Sequence, residues 1–265
     1  MDETRQQGFT FDEVAELYDL TRPRYPNELF LDLIRLARLK AGDRVLEIGC
    51  GTGQATEPLA QRGYSLLCLE PGLNMARVAR ERLARFADVE VASVSFEYWT
   101  LEPASFALVM SAQAFHWVSP DVRFQKAAAA LHAGGHLAIF GATPMREETA
   151  LRRALDRAYA AYAPQMASSP MSSHWYAADT PTESLITASG LFGAVSTRSY
   201  HWSQESKTAD YINLMRTQSD HRLLPEQQRE SLLAELGKTI DAHGGSITTR
   251  YEAHMFVAPV LAKTR

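Results

Sequence analysis

Val45-Leu46-Glu47-Ile48-Gly49-Cys50-Gly51-Thr52-Gly53-Gln54 decides how the rest of the chain is read. An apolar run enters glycines at every second position, and a second apolar run, Tyr64-Ser65-Leu66-Leu67-Cys68-Leu69, ends at Glu70. A strand, a glycine-rich turn, a helix and then an acid about 20 residues on is how doubly wound α/β folds seat a nucleoside. The glycines let backbone approach the ligand, and the acid takes the ribose hydroxyls. A dinucleotide fingerprint starting at Gly49 needs a third glycine at position 54, and the chain has Gln54 there. This disfavours a nucleotide-dependent oxidoreductase. The bland alternative is a tight βα turn in some other α/β protein, and Glu70 in register argues against it.

Outward from this turn, strands are expected at 44–48, 64–69, 89–93, 106–111 and 136–140, with helices at 53–62, 72–86 and 121–132. Strands and helices alternating at this length imply a parallel sheet covered on both faces. Upstream, a helix over about 11–18 has Thr10 as N-cap and stops before Pro23 and Pro26, and 27–39 has helical apolar spacing. Downstream, 145–180 breaks the rhythm. A helix at 147–162 leads into Pro- and Ser-rich sequence with Met171, Trp175 and Tyr176, read as an inserted cap. A helix at 181–189, a strand at 196–202, helices at 207–218 and 225–242 and a last strand at 246–257 follow. The expected fold class is α/β: doubly wound, Rossmann-like, a mostly parallel seven-stranded sheet with helices on both faces and an inserted helical cap. One domain over 1–265 is expected, made of a leader and helix (1–39), a core (40–143), the cap (144–180) and a C-terminal part (181–265) that completes the sheet and carries a helical insertion.

The 265 residues are 46% hydrophobic and 22% charged, with a net charge of −4. No basic field points to nucleic acid or a membrane surface as partner. The two cysteines, Cys50 and Cys68, stand at strand ends and read as small buried residues. A disulfide framework is not expected, and a reducing cytoplasm is. The polar, acidic N-terminus has no signal-peptide pattern, and no apolar run is long enough to span a bilayer. His132 and His136 flank Gly134-Gly135 and share no helix face, so no metal is expected.

The turn resembles the first motif of class I S-adenosylmethionine (SAM)-dependent methyltransferases, of the type 11-like kind. The resemblance extends over nearly the whole chain and is strongest between residues 11 and 140. The leader Phe11-Asp12 … Tyr18-Asp19 … Arg22-Pro23-Arg24-Tyr25-Pro26 and the run Ser111-Ala112-Gln113-Ala114-Phe115-His116-Trp117-Val118 are similar to the small-molecule branch, including its trans-aconitate and ubiquinone-type members. So are Arg216-Thr217-Gln218-Ser219 and Gly244-Gly245. The resemblance implies SAM as cofactor and S-adenosylhomocysteine as product. It implies a leader closing over SAM, with Tyr18 and Arg22 near the methionine end, above the turn made by Glu47, Gly49, Gly51 and Gly53. Glu70 and Pro71 would follow on the ribose side, Ser95 and Phe96 at the adenine, and Ser111 and Gln113 beside the methyl group. Two departures stand out: Ala107 replaces a usual Asp, and Ser95 stands where an acid often meets the adenine amino group.

Methyl transfer from a sulfonium is an in-line displacement achieved mainly by positioning. A base is required only for a protonated nucleophile. His116, after the fourth strand, is read either as that base or as an orienting group packed by Trp117. Tyr18 either faces the methyl or staples the leader helix. Arg22 and Arg24 pair with a carboxylate of SAM or substrate, or form surface salt bridges. His116, Trp117 and Tyr25 would line the acceptor pocket. The expected function is methyl transfer to an oxygen or nitrogen of a small molecule, by a monomer or homodimer. The alternatives are a SAM-binding sensor without turnover and a C-methyltransferase.

Overall fold

The computed structural model describes residues 11–167 and 181–262. Thr10, Met171, Trp175 and Tyr176, to which the sequence assigns an N-cap and a cap, lie outside them.

β1 (Arg44–Ile48) is buried at four successive positions, so both its faces are covered. An antiparallel strand with one wet face would alternate instead. β1 pairs in parallel with β2 (Ser65–Leu69) and with β4 (Phe106–Ala112). β2 pairs likewise with β3 (Val89–Ala92), and β4 with β5 (Leu131–Pro144). With β6 (Ser196–Lys207) and β7 (Ser246–Pro259) the seven-stranded order is β3-β2-β1-β4-β5-β7-β6. The order reverses between β1 and β4, and ligands of open α/β sheets bind outside the carboxyl ends of the strands at such a switch point. β7 runs against its neighbours: Val260 N donates to Gly135 O and Met145 N to Arg250 O, so numbers rise in β5 as they fall in β7. The pairs Ser199–His254 and His201–Glu252 give the same sense for β6 and β7. The expected mostly parallel sheet is present, with one antiparallel hairpin.

The chain divides into two compact units. One unit comprises 24–143, 175–200 and 253–265. Its core joins Leu46, Phe106, Phe115, Leu137 and Phe256. It holds β1 to β4, α2 (Asn27–Leu36), α3 (Thr56–Ala60), α4 (Leu73–Leu83), α5 (Arg123–Ala130) and α8 (Thr182–Ala188). The other unit comprises 1–23, 144–174 and 201–252. It holds α1 (Ala15–Thr21), α6 (Ala150–Tyr162), α7 (Pro164–Ala167), α9 (Thr208–Arg216), α10 (Ser219–Arg222) and α11 (Glu226–Asp241). Leu155, Tyr211, Leu214, Leu232, Leu236 and Ile240 are among its buried apolar residues. The described part of the leader up to Pro23 thus falls in the same unit as the cap helix and the C-terminal helical insertion.

Element bounds differ from expectation for local reasons. The helix expected at 121–132 ends at Ala130 because Leu131 turns extended (φ −76°, ψ 135°) and pairs with Phe106. The helix expected at 53–62 shrinks to Thr56–Ala60 because the glycine turn occupies its first residues. On α4, Met75, Ala76, Val78, Ala79 and Leu83 face inward. Of its arginines, Arg82 pairs with Glu57, as does Arg85 just beyond the helix, and Arg80 caps the Val91 carbonyl of the edge strand.

Candidate active site

At the end of β1 the chain alternates left-handed and right-handed residues. Gly49, Gly51 and Gly53 have φ of 68°, 58° and 82°, a region that L side chains rarely occupy. The three glycines differ in what they face. A Cβ on Gly49 would lie 2.4 Å from the Ala114 Cβ, so this glycine lets the turns after β1 and β4 touch. A Cβ on Gly53 would lie 2.9 Å from Leu83 Cδ1, so it admits α4. Gly51 alone of the three opens on space, with nothing within 4 Å. The glycine spacing is legible in sequence, but this division of labour is not.

Two buried polar atoms of the same stretch have no partner among the described residues: Glu47 Oε1 and Thr52 Oγ1. Glu47 is fully buried, and its other oxygen accepts from Thr56 Oγ1 at 2.5 Å. Burial first, and the nearby Glu70 charge in addition, push its carboxyl up to about 8, against the opposing hydrogen bond from Thr56. Glu70 sits at the end of β2 and bridges two turns. Its Oε2 accepts from Gly51 N at 2.9 Å and its Oε1 from Gly72 N at 2.8 Å. These bonds orient the carboxylate. Pro71, beside it, is exposed. An open glycine, an oriented acid and orphaned buried polar atoms fit a ligand that carries hydroxyls and an ammonium. That is the donor set of SAM.

The remaining site residues of this unit gather at the same sheet edge. Ser111 is fully buried and its hydroxyl donates to Ile48 O at 2.8 Å. It braces β1 against β4. Gln113 is a non-glycine residue at φ 54°. Its Nε2 donates to Ala142 O at 2.7 Å and its Oε1 accepts from Tyr25 Oη at 3.4 Å. Tyr25 also packs edge-on against Phe140, with ring centroids 5.2 Å apart. His116 and Trp117 lie in a short 3₁₀ turn, Phe115–Trp117, anchored by the buried Phe115, and their rings stand 4.4 Å apart. Both are half-buried. At the end of β3, Ser95 is half-buried, whereas Phe96 is 2% exposed and stacks on Trp99. The Phe96 ring therefore belongs to the core. Cys50 and Cys68 are both buried. The Cys68 thiol and burial hold Cys50 well above the usual thiol range.

Tyr18 and Arg22 lie in the other unit. The Arg22 guanidinium stands 4.5 Å from the Tyr18 ring and 5.6 Å from the Phe11 ring, and donates to Thr217 O at 2.8 Å. Tyr18, Arg22 and the Arg216–Ser219 stretch, singled out separately in the sequence, thus form one cluster there. Thr52, Thr56, Glu97 and Lys126 were not singled out, because hydroxyls and a lysine in amphipathic sequence give no periodic signal.

The profile of a methyltransferase domain family matches residues 45–135, the span from the glycine turn to Gly135. An uncharacterized methyltransferase of Geobacillus sp. (strain WCH70) is 30% identical over 156 residues, covering 56% of this chain and 72% of that protein. An uncharacterized methyltransferase of Mycobacterium tuberculosis (strain H37Rv) is 33% identical over 135 residues, covering 51% and 53%. Among solved structures, a provisionally assigned type II methyltransferase from Anaeromyxobacter dehalogenans is similar at 22% identity and a TM-score of 0.64, covering 90% of this chain and 97% of that one. Haemonchus contortus phosphoethanolamine N-methyltransferase 2, solved with S-adenosyl-L-methionine, is similar at 18% identity and a TM-score of 0.55, covering 94% and 57%. These two likenesses are of fold. On the sequence relatives and this fold, the chain belongs to the class I SAM-dependent methyltransferase family.

Proposed function

We propose that the chain transfers the methyl group of SAM to an oxygen or nitrogen of a small-molecule acceptor, and that SAM binds at the carboxyl edge of β1, β2 and β4. The observation that carries the reading is the Gly51 opening, flanked by the oriented Glu70 carboxylate and the unpartnered Glu47 oxygen. When bound, SAM supplies an electrophilic methyl on a sulfonium. The chain's own residues supply the rest. Gly51 gives the methionine end room. Glu70 accepts from the ribose hydroxyls. Glu47 orients the turn or reaches the ammonium through a water at its second oxygen. The 3₁₀ turn carries His116 and Trp117 to the acceptor side, where His116 takes the acceptor's proton or orients it. Positioning of this kind can supply most of the barrier reduction.

Calorimetry with S-adenosylhomocysteine tests the cofactor half. Two charge-assisted bonds at about 1.5–3 kcal/mol each make Glu70→Ala lose an order of magnitude or more in affinity. Glu70→Gln loses less. A 2′-deoxy analogue keeps one of the two bonds, so Glu70→Ala weakens it by a smaller factor than it weakens S-adenosylhomocysteine. A wild type that does not discriminate against that analogue removes Glu70 from the ribose. Turnover tests the rest: conversion of SAM to S-adenosylhomocysteine that depends on an added acceptor separates an enzyme from a sensor.

A further inference from the structure

The segment after β3 has no strand or helix, yet it is tied down tightly. Tyr98 N and Trp99 N both donate to Ser95 O, closing a turn. Lys126, on α5, reaches under that turn. Its ammonium donates to Trp99 O at 2.5 Å and to Glu97 O at 3.0 Å. It also stands 5.5 Å from the Phe96 ring centroid and 5.6 Å from that of Trp99. Those two rings stack 6.0 Å apart. Glu97 runs the other way, its Oε1 accepting from Ser119 N at 3.0 Å. Ser119 O in turn accepts from Val122 N and Arg123 N at the start of α5, two residues beyond the turn that carries His116 and Trp117.

We propose that Lys126 is a positioning residue for the cofactor's base. It fixes the Ser95–Trp99 turn at the adenine end of the site and, with Glu97, sets that turn's distance from the His116 turn on the acceptor side. The proposal rests on the cofactor placement above. Its physical basis is entropic. A loop left to itself pays the cost of fixing each backbone residue when ligand arrives, and a cation held by two carbonyls and two ring faces has paid it beforehand. Lysine suits the role because its ammonium carries three donors and no acceptor, so it gathers carbonyls. The chain's acid nearest Ser95 is Glu97, and it is committed to this lacing.

Lys126→Met keeps the stem's packing and removes both donations. S-adenosylhomocysteine affinity is expected to fall about tenfold. 5′-Methylthioadenosine, which has the adenosine but no amino-acid end, loses the same factor. The KM for SAM rises while kcat at saturating SAM changes less than about twofold. Lys126→Arg restores most of the affinity. If Lys126→Met lowers the melting temperature but binds both ligands like wild type, the proposal is overturned. If Lys126→Met does not fold, Glu97→Ala, which removes the acceptor of Ser119 N, gives the second reading: a smaller loss shared by both ligands supports the lacing, and unchanged affinity overturns it. Glu70→Ala separates the layers. If it weakens binding and Lys126→Met does not, only the lysine's role falls. If Glu70→Ala has no effect either, the cofactor placement falls with it.

Discussion

Glu47 shows how a single side chain reports on the site. A fully buried carboxyl is held protonated at a pH where most carboxyls are charged. Its folded pKa, about 8, lies above its ordinary 4.5, so the folded state holds a proton that the unfolded state has released. The stability linked to it is complete below about 4.5 and is lost as pH rises to about 8, by at most about 1.4 kcal/mol per pH unit. His136 acts in the opposite sense. Burial first, with the Arg38 and His132 charges, lowers its pKa, so its contribution is present above about 6.5 and is lost as pH falls. Urea melts of wild type and Glu47→Gln between pH 5 and 8 isolate Glu47 by difference. The glutamine variant is expected to gain stability relative to wild type as pH rises, and parallel curves refute the shift. The glycines give a second prediction of the same kind. Asparagine tolerates positive φ, so it adds a side chain at low backbone cost. Gly51→Asn enters open space, and is expected to cut S-adenosylhomocysteine affinity more than about tenfold with a melting shift of only a few degrees. Gly49→Asn meets the Ala114 Cβ at 2.4 Å and is expected to destabilise the fold first. Equal melting losses in the two variants contradict this division.

Elements were legible where periodicity or glycine chemistry speaks. The five strands of the parallel sheet and most of the helices follow from apolar runs and breakers, because a central strand such as β1, buried at four successive positions, is mostly apolar on both faces. What was not legible depends on contacts distant in sequence. The hydroxyl of Ser111, at the end of β4, donates to Ile48 O on the neighbouring strand, a partner 63 residues away that no local pattern names. The leader read as a lid with aromatics seeking a surface, and α1 has a surface within its own unit. Arg22 sits between Phe11 and Tyr18 and bonds Thr217, while Arg222 pairs with Glu13. No local pattern in 11–25 announces that. The 3₁₀ turn after β4 is the element on which chemistry is expected, and its test discriminates between roles. If His116 is the base, His116→Ala lowers kcat with little effect on SAM binding, and the wild-type rate rises with pH through a histidine-like pKa near 6.5. If His116 orients the acceptor, KM rises and the pH profile survives the substitution. An acceptor that arrives as a carboxylate abolishes both pH signatures.

At the scale of the molecule, the division into two units cuts through β6 between Tyr200 and His201 and through β7 between Glu252 and Ala253. Each unit therefore contains parts of the same two strands. The strands run unbroken through both units, with the Ser199–His254 pair in one and the His201–Glu252 pair in the other. A single cooperative transition is expected on heating, although contacts cluster in two bodies. The glycine turn, Glu70, Ser95 and His116 all lie in one of these bodies. A ligand bound there at 100 times its Kd stabilises the native state by about 2.7 kcal/mol. Each kcal/mol moves the melting temperature of a chain this size by about 2–4 °C, so S-adenosylhomocysteine should raise it by roughly 5–10 °C. Scanning calorimetry distinguishes the two architectures. If the strands bind the units into one cooperative system, a single endotherm shifts as a whole, including the melting of α6, α9 and α11. If two endotherms resolve and ligand moves only one of them, the units are thermodynamically separate. The leader helix α1, which belongs to the unit without the glycine turn, would then gain no protection when cofactor binds.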